Sequence, residues 1–220
     1  MSVRVAKSAG FCFGVSRAVE LVEQAASGGK RVATLGPIIH NRHVVDRFEG
    51  MGVRVIEQPE DARADETVII RSHGVTREVV ERLEKTGAEI IDATCPFVKR
   101  IHGIVSRAEE EGRIPVIIGT PTHPEVEGIC SYAKSGYAVA ATAEEIGVLP
   151  AGTLAVVQTT HSVAQWERCK AVIKEKCADA LIFDTVCTVT SQRQSELKEL
   201  AAQSDLTVVV GDKSSSNSRK

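Results

Sequence analysis

Three of the six cysteines occupy equivalent places in a repeated pattern, and their chemistry suggests a metal site. Each precedes by 24 residues a glycine that ends an apolar run; the pairs are Cys12 and Gly36, Cys95 and Gly119, and Cys187 and Gly211. Four residues beyond each glycine comes a polar side chain, which is His40, His123 or Ser215. Three such matches in one chain indicate an internal repeat rather than a chance spacing.

Thiolates are soft ligands that suit iron–sulfur clusters and zinc. Three cysteines, rather than four, would leave one iron of a [4Fe–4S] cluster without a protein sulfur, so that a substrate oxygen could bind there. Two other interpretations stay open. Free cysteines are often buried packing residues. A zinc ion on three cysteines could keep an open position, although the sequence lacks the close cysteine pairs that are typical of structural zinc sites.

Polar side chains that could bind a phosphate follow several of the apolar runs. Imidazoles, hydroxyls and amides are good partners for phosphate oxygens. The candidates are His40, His73, His123, Thr159, Ser215, Ser216 and Asn217. Near the third histidine of this set, Glu125 or Glu127 could donate a proton, and the sequence does not choose between them. The remaining histidines are interpreted as loop residues without a ligand: His43, His102 and His161.

These side chains need elements that bring them together. Each repeat reads as a strand, a cysteine at its end, an amphipathic helix, a second strand and a loop that begins with glycine. This alternation predicts an α/β fold with parallel sheets, whose ligands gather at the carboxyl ends of the strands. We expect three similar αβα units around a pseudo-threefold axis: residues 13–95, residues 96–187, and residues 1–12 with 188–220 as an incomplete third unit.

Composition argues against several classes of protein. The 220 residues carry a net charge of −2, without the basic surplus that nucleic-acid-binding proteins use to neutralise phosphates. The sequence has no apolar run of the roughly 18 residues that span a membrane and no signal peptide, so a cytoplasmic protein without a membrane partner is expected. Disulfides rarely persist in that compartment. We interpret Cys130, Cys169 and Cys177, which fall outside the repeat, as packing residues.

Seven short stretches together resemble the 4-hydroxy-3-methylbut-2-enyl diphosphate reductases of the non-mevalonate isoprenoid pathway. They are residues 10–15 (GFCFGV), 36–41 (GPIIHN), 71–75 (RSHGV), 92–96 (DATCP), 123–128 (HPEVEG), 158–160 (QTT) and 215–218 (SSNS). The stretches follow the order of that family and run from one end of the chain to the other, which makes the resemblance specific.

The resemblance implies an oxidoreductase with a [4Fe–4S] cluster on Cys12, Cys95 and Cys187. It also implies that the diphosphate of the substrate is bound by His40, His73, His123, Ser215, Ser216 and Asn217. Thr159 would lie near the substrate hydroxyl, and Glu125 would donate the proton. The reaction would be reductive dehydroxylation to isopentenyl and dimethylallyl diphosphate, with electrons from a ferredoxin or flavodoxin-type donor.

One departure from the family and two competing functions complete these expectations. The family continues past the stretch 215–218 with the rest of its third unit, so we expect a truncated chain of 220 residues to have impaired or absent turnover. A phosphate-ligand binding module with merely packed cysteines would be colourless. A zinc hydrolase that uses Glu125 would contain zinc and show no redox activity.

Overall fold

The computed structural model describes residues 3–213, together with Ser215 and Ser218. The helices are α1 (Phe13–Ser27), α2 (Arg42–Gly50), α3 (Arg77–Glu84), α4 (Pro96–Glu110), α5 (Pro124–Cys130), α6 (Val163–Lys176) and α7 (Thr188–Ala202). The strands are β1 (Arg31–Leu35), β2 (Arg54–Ile56), β3 (Glu66–Ile70), β4 (Glu89–Asp92), β5 (Ile114–Ile118), β6 (Ala138–Ala140), β7 (Thr153–Val157) and β8 (Leu181–Ile182). None of the helices in these ranges is long and apolar enough to cross a bilayer.

The strands form two parallel four-stranded sheets with the same order. The first sheet runs β2-β1-β3-β4 and the second runs β6-β5-β7-β8. In the first, Leu35 at the end of β1 lies opposite Ile70 at the end of β3. In the second, Ile118 at the end of β5 lies opposite Val157 at the end of β7. The internal repeat is therefore a repeat of topology, and the predicted α/β fold is confirmed.

Helices cover both faces of each sheet, as the fully buried runs of the central strands require. In the first unit, Val22 of α1 and Phe48 of α2 pack on one face, and Leu83 of α3 packs on the other. In the second unit, α4 and α5 cover one face, while Trp166 and Ile173 of α6 are buried against the other. Each unit is thus a three-layered αβα structure with its own core.

The N-terminal segment packs on α7, and the described residues form no third sheet. The amides of Lys7 and Ser8 donate to the Glu196 carboxylate at 2.6 and 2.9 Å. The Arg193 guanidinium donates to the Gly10 carbonyl at 2.6 Å. Residues 3–12 and 206–210, which read as strands in the sequence, are not paired within the described residues. Their alternating apolar side chains are exposed because a strand needs a partner strand to bury them.

Candidate functional site

The central strands of the two sheets position two cysteines by the same main-chain hydrogen bond. The Cys95 amide donates to the Ser72 carbonyl at 2.9 Å, and the Cys187 amide donates to the Thr159 carbonyl at 2.9 Å. Each acceptor lies two residues beyond its strand, β3 or β7. Helices begin directly after all three predicted cysteines, with Cys12 and Cys187 as the N-caps of α1 and α7 and Cys95 just before α4.

The thiols of these cysteines lie close enough to influence one another. Burial raises the pKa of the Cys95 thiol; amide groups of the first turn of α4 oppose this, and the thiols of Cys12 and Cys187 raise it further. A Cβ atom on Gly14 would lie 2.6 Å from the Cys95 Sγ, so only glycine leaves room for this sulfur beside α1. No three His, Cys, Asp or Glu side chains in the described ranges are arranged to hold a single metal ion.

Three histidines from three different loops form one cluster. The ring centroids of His40 and His73 are 4.3 Å apart, and that of His123 lies 6.4 Å from the first and 6.0 Å from the second. Burial lowers the pKa of both His40 and His73, and in each case neighbouring positive charge lowers it further. The buried Nδ1 of His73 has no hydrogen-bond partner among the described residues. The structure therefore brings together all three histidines that the sequence singled out.

A chain of hydrogen bonds connects this cluster with one of the cysteines, Cys187. The Glu125 amide donates to Nδ1 of His123 at 3.1 Å, which caps the first turn of α5. The carboxylate of Glu125, only 1% exposed, accepts from the Thr159 amide at 2.6 Å and from the Thr159 hydroxyl at 2.8 Å. Thr159 in turn holds the Cys187 amide through its carbonyl. Glu127 is exposed, so the structure distinguishes two glutamates that the sequence did not.

The segment that follows α7 reaches the histidine cluster. The Arg42 amide donates to Asp212 Oδ2 at 3.1 Å, and the Ser215 amide donates to the Asp212 carbonyl at 3.0 Å. The Asp212 carboxylate also raises the pKa of His40 against the larger, opposite effect of burial. Ser216 and Asn217, the other two predicted phosphate ligands of this segment, lie outside the described residues.

Sequence reasoning missed two residues of this region and misplaced two others. Gly14 and Arg71 lie inside the quoted stretches, but neither was singled out, because each acts through contact with a distant segment. His43 and His102 were expected in loops and instead lie on α2 and α4. The ring of His102 is buried and stacks on Tyr132 at a centroid distance of 4.3 Å.

Comparison of the sequence with known proteins gives consistent matches. The sequence model of the LytB protein family matches residues 3–220. The 4-hydroxy-3-methylbut-2-enyl diphosphate reductase of Geobacter sulfurreducens is 43% identical over 225 residues, which cover 100% of this chain and 78% of that protein. The reductase of the same name from Pelobacter propionicus is 43% identical over 226 residues, with 100% and 79% covered. The chain thus spans about four fifths of the length of these relatives.

Two solved structures resemble the fold over nearly the whole chain. One is the structure of (E)-4-hydroxy-3-methyl-but-2-enyl diphosphate reductase, described as the terminal enzyme of the non-mevalonate pathway; its TM-score is 0.80 at 39% identity, with 99% of this chain and 79% of that chain covered. The other is the E-1-hydroxy-2-methyl-but-2-enyl-4-diphosphate reductase of Plasmodium falciparum, with a TM-score of 0.88 at 30% identity and coverage of 96% and 68%.

Proposed function

The chain belongs to the LytB protein family, a family of reductases, and on this premise we propose that it removes the hydroxyl group of 4-hydroxy-3-methylbut-2-enyl diphosphate reductively. Two electrons and two protons are consumed, the allylic C–O bond breaks, a C–H bond forms, and the oxygen leaves as water. The products are isopentenyl and dimethylallyl diphosphate. The observation that carries the proposal is the buried Glu125 carboxylate, because Thr159 links it directly to the main chain of Cys187.

We propose Cys12, Cys95 and Cys187 as the ligands of a [4Fe–4S] cluster. The donor set is suitable, since soft thiolates are the usual ligands of such clusters. The absence of a side chain at Gly14 supports the assignment, because it leaves the Cys95 sulfur beside the helix that starts at Cys12. When bound, the cluster would supply single electrons and one Lewis-acidic iron without a protein sulfur.

The histidine cluster is the proposed site of the diphosphate. Two of its rings, His40 and His73, have lowered pKa values because they are buried, and a bound diphosphate would reverse this effect by favouring the protonated imidazolium. The Nδ1 of His73, which has no partner within the described ranges, offers a position for a phosphate oxygen. The full proposed set is His40, His73, His123, Ser215, Ser216 and Asn217.

Glu125 is the proposed proton donor, and Thr159 is the group through which it acts. The hydroxyl of Thr159 can donate to the Glu125 carboxylate or accept from the protonated acid, so a proton can pass to an oxygen beside Thr159. A proton delivered to the departing oxygen stabilises the charge that develops there as the C–O bond breaks. The burial of the pair excludes water from competing for this proton.

The test uses anaerobically purified protein with a chemical one-electron reductant. About four irons and four sulfides per chain, with a visible absorption spectrum, are expected for the wild type and for Glu125→Gln. Only the turnover of Glu125→Gln should fall, by about 100-fold or more, because a positioned acid contributes at least that factor. Glu127→Gln is the matched control, since Glu127 is exposed on the same helix.

Thr159→Ser, which keeps the hydroxyl, should retain more turnover than Thr159→Val. A colourless protein, bound zinc, or equal turnover of the two glutamate variants would contradict the proposal. Bound zinc would favour the hydrolase, and a colourless protein that still binds pyrophosphate would favour the phosphate-binding module.

Two finer expectations also stand as proposals. The electron donor is of the ferredoxin or flavodoxin type, and the protein works in the cytoplasm.

A further inference from the structure

Arg71 lies between the two turns that carry His40 and His73. Its Nε donates to the Gly74 carbonyl at 3.3 Å. Its Nη1 lies 2.6 Å from the place that a Cβ atom of Gly36 would occupy. Both glycines have a positive φ, 69° for Gly36 and 78° for Gly74. The guanidinium therefore packs against two tight turns that belong to different loops.

The charge of this guanidinium is not neutralised by a close carboxylate. The hydrogen bond of Arg71 goes to a carbonyl, and within the described ranges the side chain forms no ion pair. Burial lowers its pKa, while the more distant Glu127 and Glu57 raise it. An arginine stays protonated at physiological pH in spite of such effects. A partly buried cation without a counterion is costly, so an arginine in this place indicates a ligand of negative charge.

Burial and the charge of Arg71 both disfavour the protonated forms of His40 and His73. After burial, the largest effect on the pKa of His40 is that of the Arg71 charge, which lowers it. The pKa of His73 lies well below 6.5 through burial, the proximity of His40 and His123, and Arg71. Three imidazoles this close to a fixed cation cannot all carry a proton. Arg71 therefore provides positive charge before the substrate arrives.

We propose that Arg71 is a positioning residue for the diphosphate: it holds the loop of His40 against the turn of His73 and supplies the permanent positive charge of their pocket. This inference rests on the proposed function. Arginine suits the task because its rigid planar fork can pack against both glycine turns at once, whereas a lysine would bring only the charge.

The proposal predicts how pyrophosphate binding depends on pH. Protonation of the histidines strengthens binding of the anion, so affinity rises as the pH falls through their pKa. Loss of the Arg71 charge would raise that pKa towards 6.5, and the rise in affinity would begin at a higher pH. The other charged or titratable groups that act on these three residues stay in place: Glu57, His123, Glu127 and Asp212.

The experiment measures inorganic pyrophosphate binding by titration calorimetry between about pH 5.5 and pH 8. It compares the wild type, Arg71→Gln and Arg71→Lys with Arg77→Gln, an exposed arginine that pairs with Glu81 on α3. The iron content, the sulfide content and the thermal unfolding temperature are measured for each variant. Arg71→Gln should bind about 10- to 100-fold more weakly at pH 7 and show its pH midpoint displaced upward. Arg71→Lys should keep the midpoint of the wild type with an intermediate affinity, and Arg77→Gln should behave as the wild type.

Two outcomes would overturn the inference, and they separate it from the function. If Arg71→Gln binds pyrophosphate like the wild type, Arg71 has no such role, while the diphosphate site stands. If the wild type with its cluster does not bind pyrophosphate at all, both the diphosphate site and the role of Arg71 are wrong. A weaker affinity with an unmoved pH midpoint would reduce Arg71 to a structural residue, which also contradicts the proposal. Should Arg71→Gln fail to fold, the affinity of Arg71→Lys decides, since equality with the wild type contradicts the positioning role.

Discussion

Gly14 leaves the space that the sulfur of Cys95 fills. In Gly14→Ala the new Cβ would lie 2.6 Å from that sulfur, so either α1 or Cys95 must move. We expect the iron and sulfide contents after anaerobic reconstitution to fall well below those of the wild type. The helix itself should not suffer, because alanine is favoured over glycine in a helix by about 1 kcal/mol.

Gly50→Ala is the matched control for this substitution. Gly50 also lies in a helix, α2, and a Cβ atom there would meet nothing within 4 Å. Its iron content should equal that of the wild type. A normal cluster in Gly14→Ala would mean that the Cys95 sulfur binds elsewhere than beside α1.

At the scale of single residues, the sequence indicated which residues are candidates for the site better than it indicated which residues they contact. The thiols and histidines were singled out as candidates because the repeat puts them at the ends of strands. Gly14 was not, since its importance depends on a sulfur 81 residues away in the sequence, Cys95, and no local pattern records such a contact. The choice of Glu125 over Glu127 likewise depends on burial beside Thr159.

Among the elements, α4 follows Cys95 and also takes part in the contact between the two units. It carries His102 into the junction between the units, where the ring lies against Gly74 of the first unit and Gly128 of α5. Its Nε2 is buried without a hydrogen-bond partner among the described residues. Burial lowers the pKa of His102 from 6.5 to about 4; the Asp92 carboxylate raises it by a smaller amount, and Lys99 lowers it further.

This lowered pKa makes the junction sensitive to acid. The unfolded chain takes up the His102 proton near pH 6.5, before the folded chain does near pH 4. The free energy of unfolding should therefore decrease as the pH falls between these values, by about 3 kcal/mol from this residue. His102→Phe keeps the stacking on Tyr132 but cannot take up a proton, so its stability should decrease less between pH 7 and pH 4.

Chemical denaturation of both proteins at a series of pH values measures this difference. Other buried histidines titrate in both proteins, so only the difference between the two curves counts. Parallel curves would show that His102 is protonated as easily in the folded chain as in the unfolded one. The sequence did not indicate the role of His102. It predicts a helix after Cys95, but it does not show that this helix contacts the Gly74 turn of the first unit.

Helices and strands were most predictable where a segment forms its own hydrogen bonds, as a helix does, or pairs with strands of the same unit. The helix after each cysteine and the apolar runs of β3, β5 and β7 were expected and occur. Residues 206–210 were expected as a strand on the same grounds and are unpaired in the described part of the chain. Their sequence favours a strand, but strand formation requires hydrogen bonds from a neighbour.

For the whole molecule, the two complete units keep separate cores. Leu83 is fully buried in the first and Ile173 in the second. Leu83→Ala and Ile173→Ala should each lower the free energy of unfolding by about 2–5 kcal/mol, through lost burial and a cavity. Because they share no packing partners, the double variant should lose the sum of the two, within about 0.5 kcal/mol.

Equilibrium denaturation of the four proteins forms the complete cycle. Leu83→Ala with Val68→Ala, both in one core, serves as the comparison, since residues of a shared core are expected to be non-additive. A large coupling energy between Leu83 and Ile173 would mean that strain in one core passes through the junction into the other.

The organisation into repeated αβα units followed from the spacing of the cysteines, but the strand order did not. The sequence shows which runs are buried, and it does not show which run is the edge of the sheet. The edge strands β2, β6 and β8 are only two or three residues long, too short to show a periodic pattern, so their pairing partners emerge only from the folded chain.

The matching hydrogen bonds from Cys95 and Cys187 end on carbonyl groups, which every amino acid possesses. The side chains at Ser72 and Thr159 are consequently not needed to anchor the cysteines. The side chain of Thr159 binds the buried carboxylate of Glu125, whereas Ser72 stands at the same place in the other unit. Two units of the same topology can in this way differ in their chemical roles while the backbone keeps their cysteines in equivalent positions.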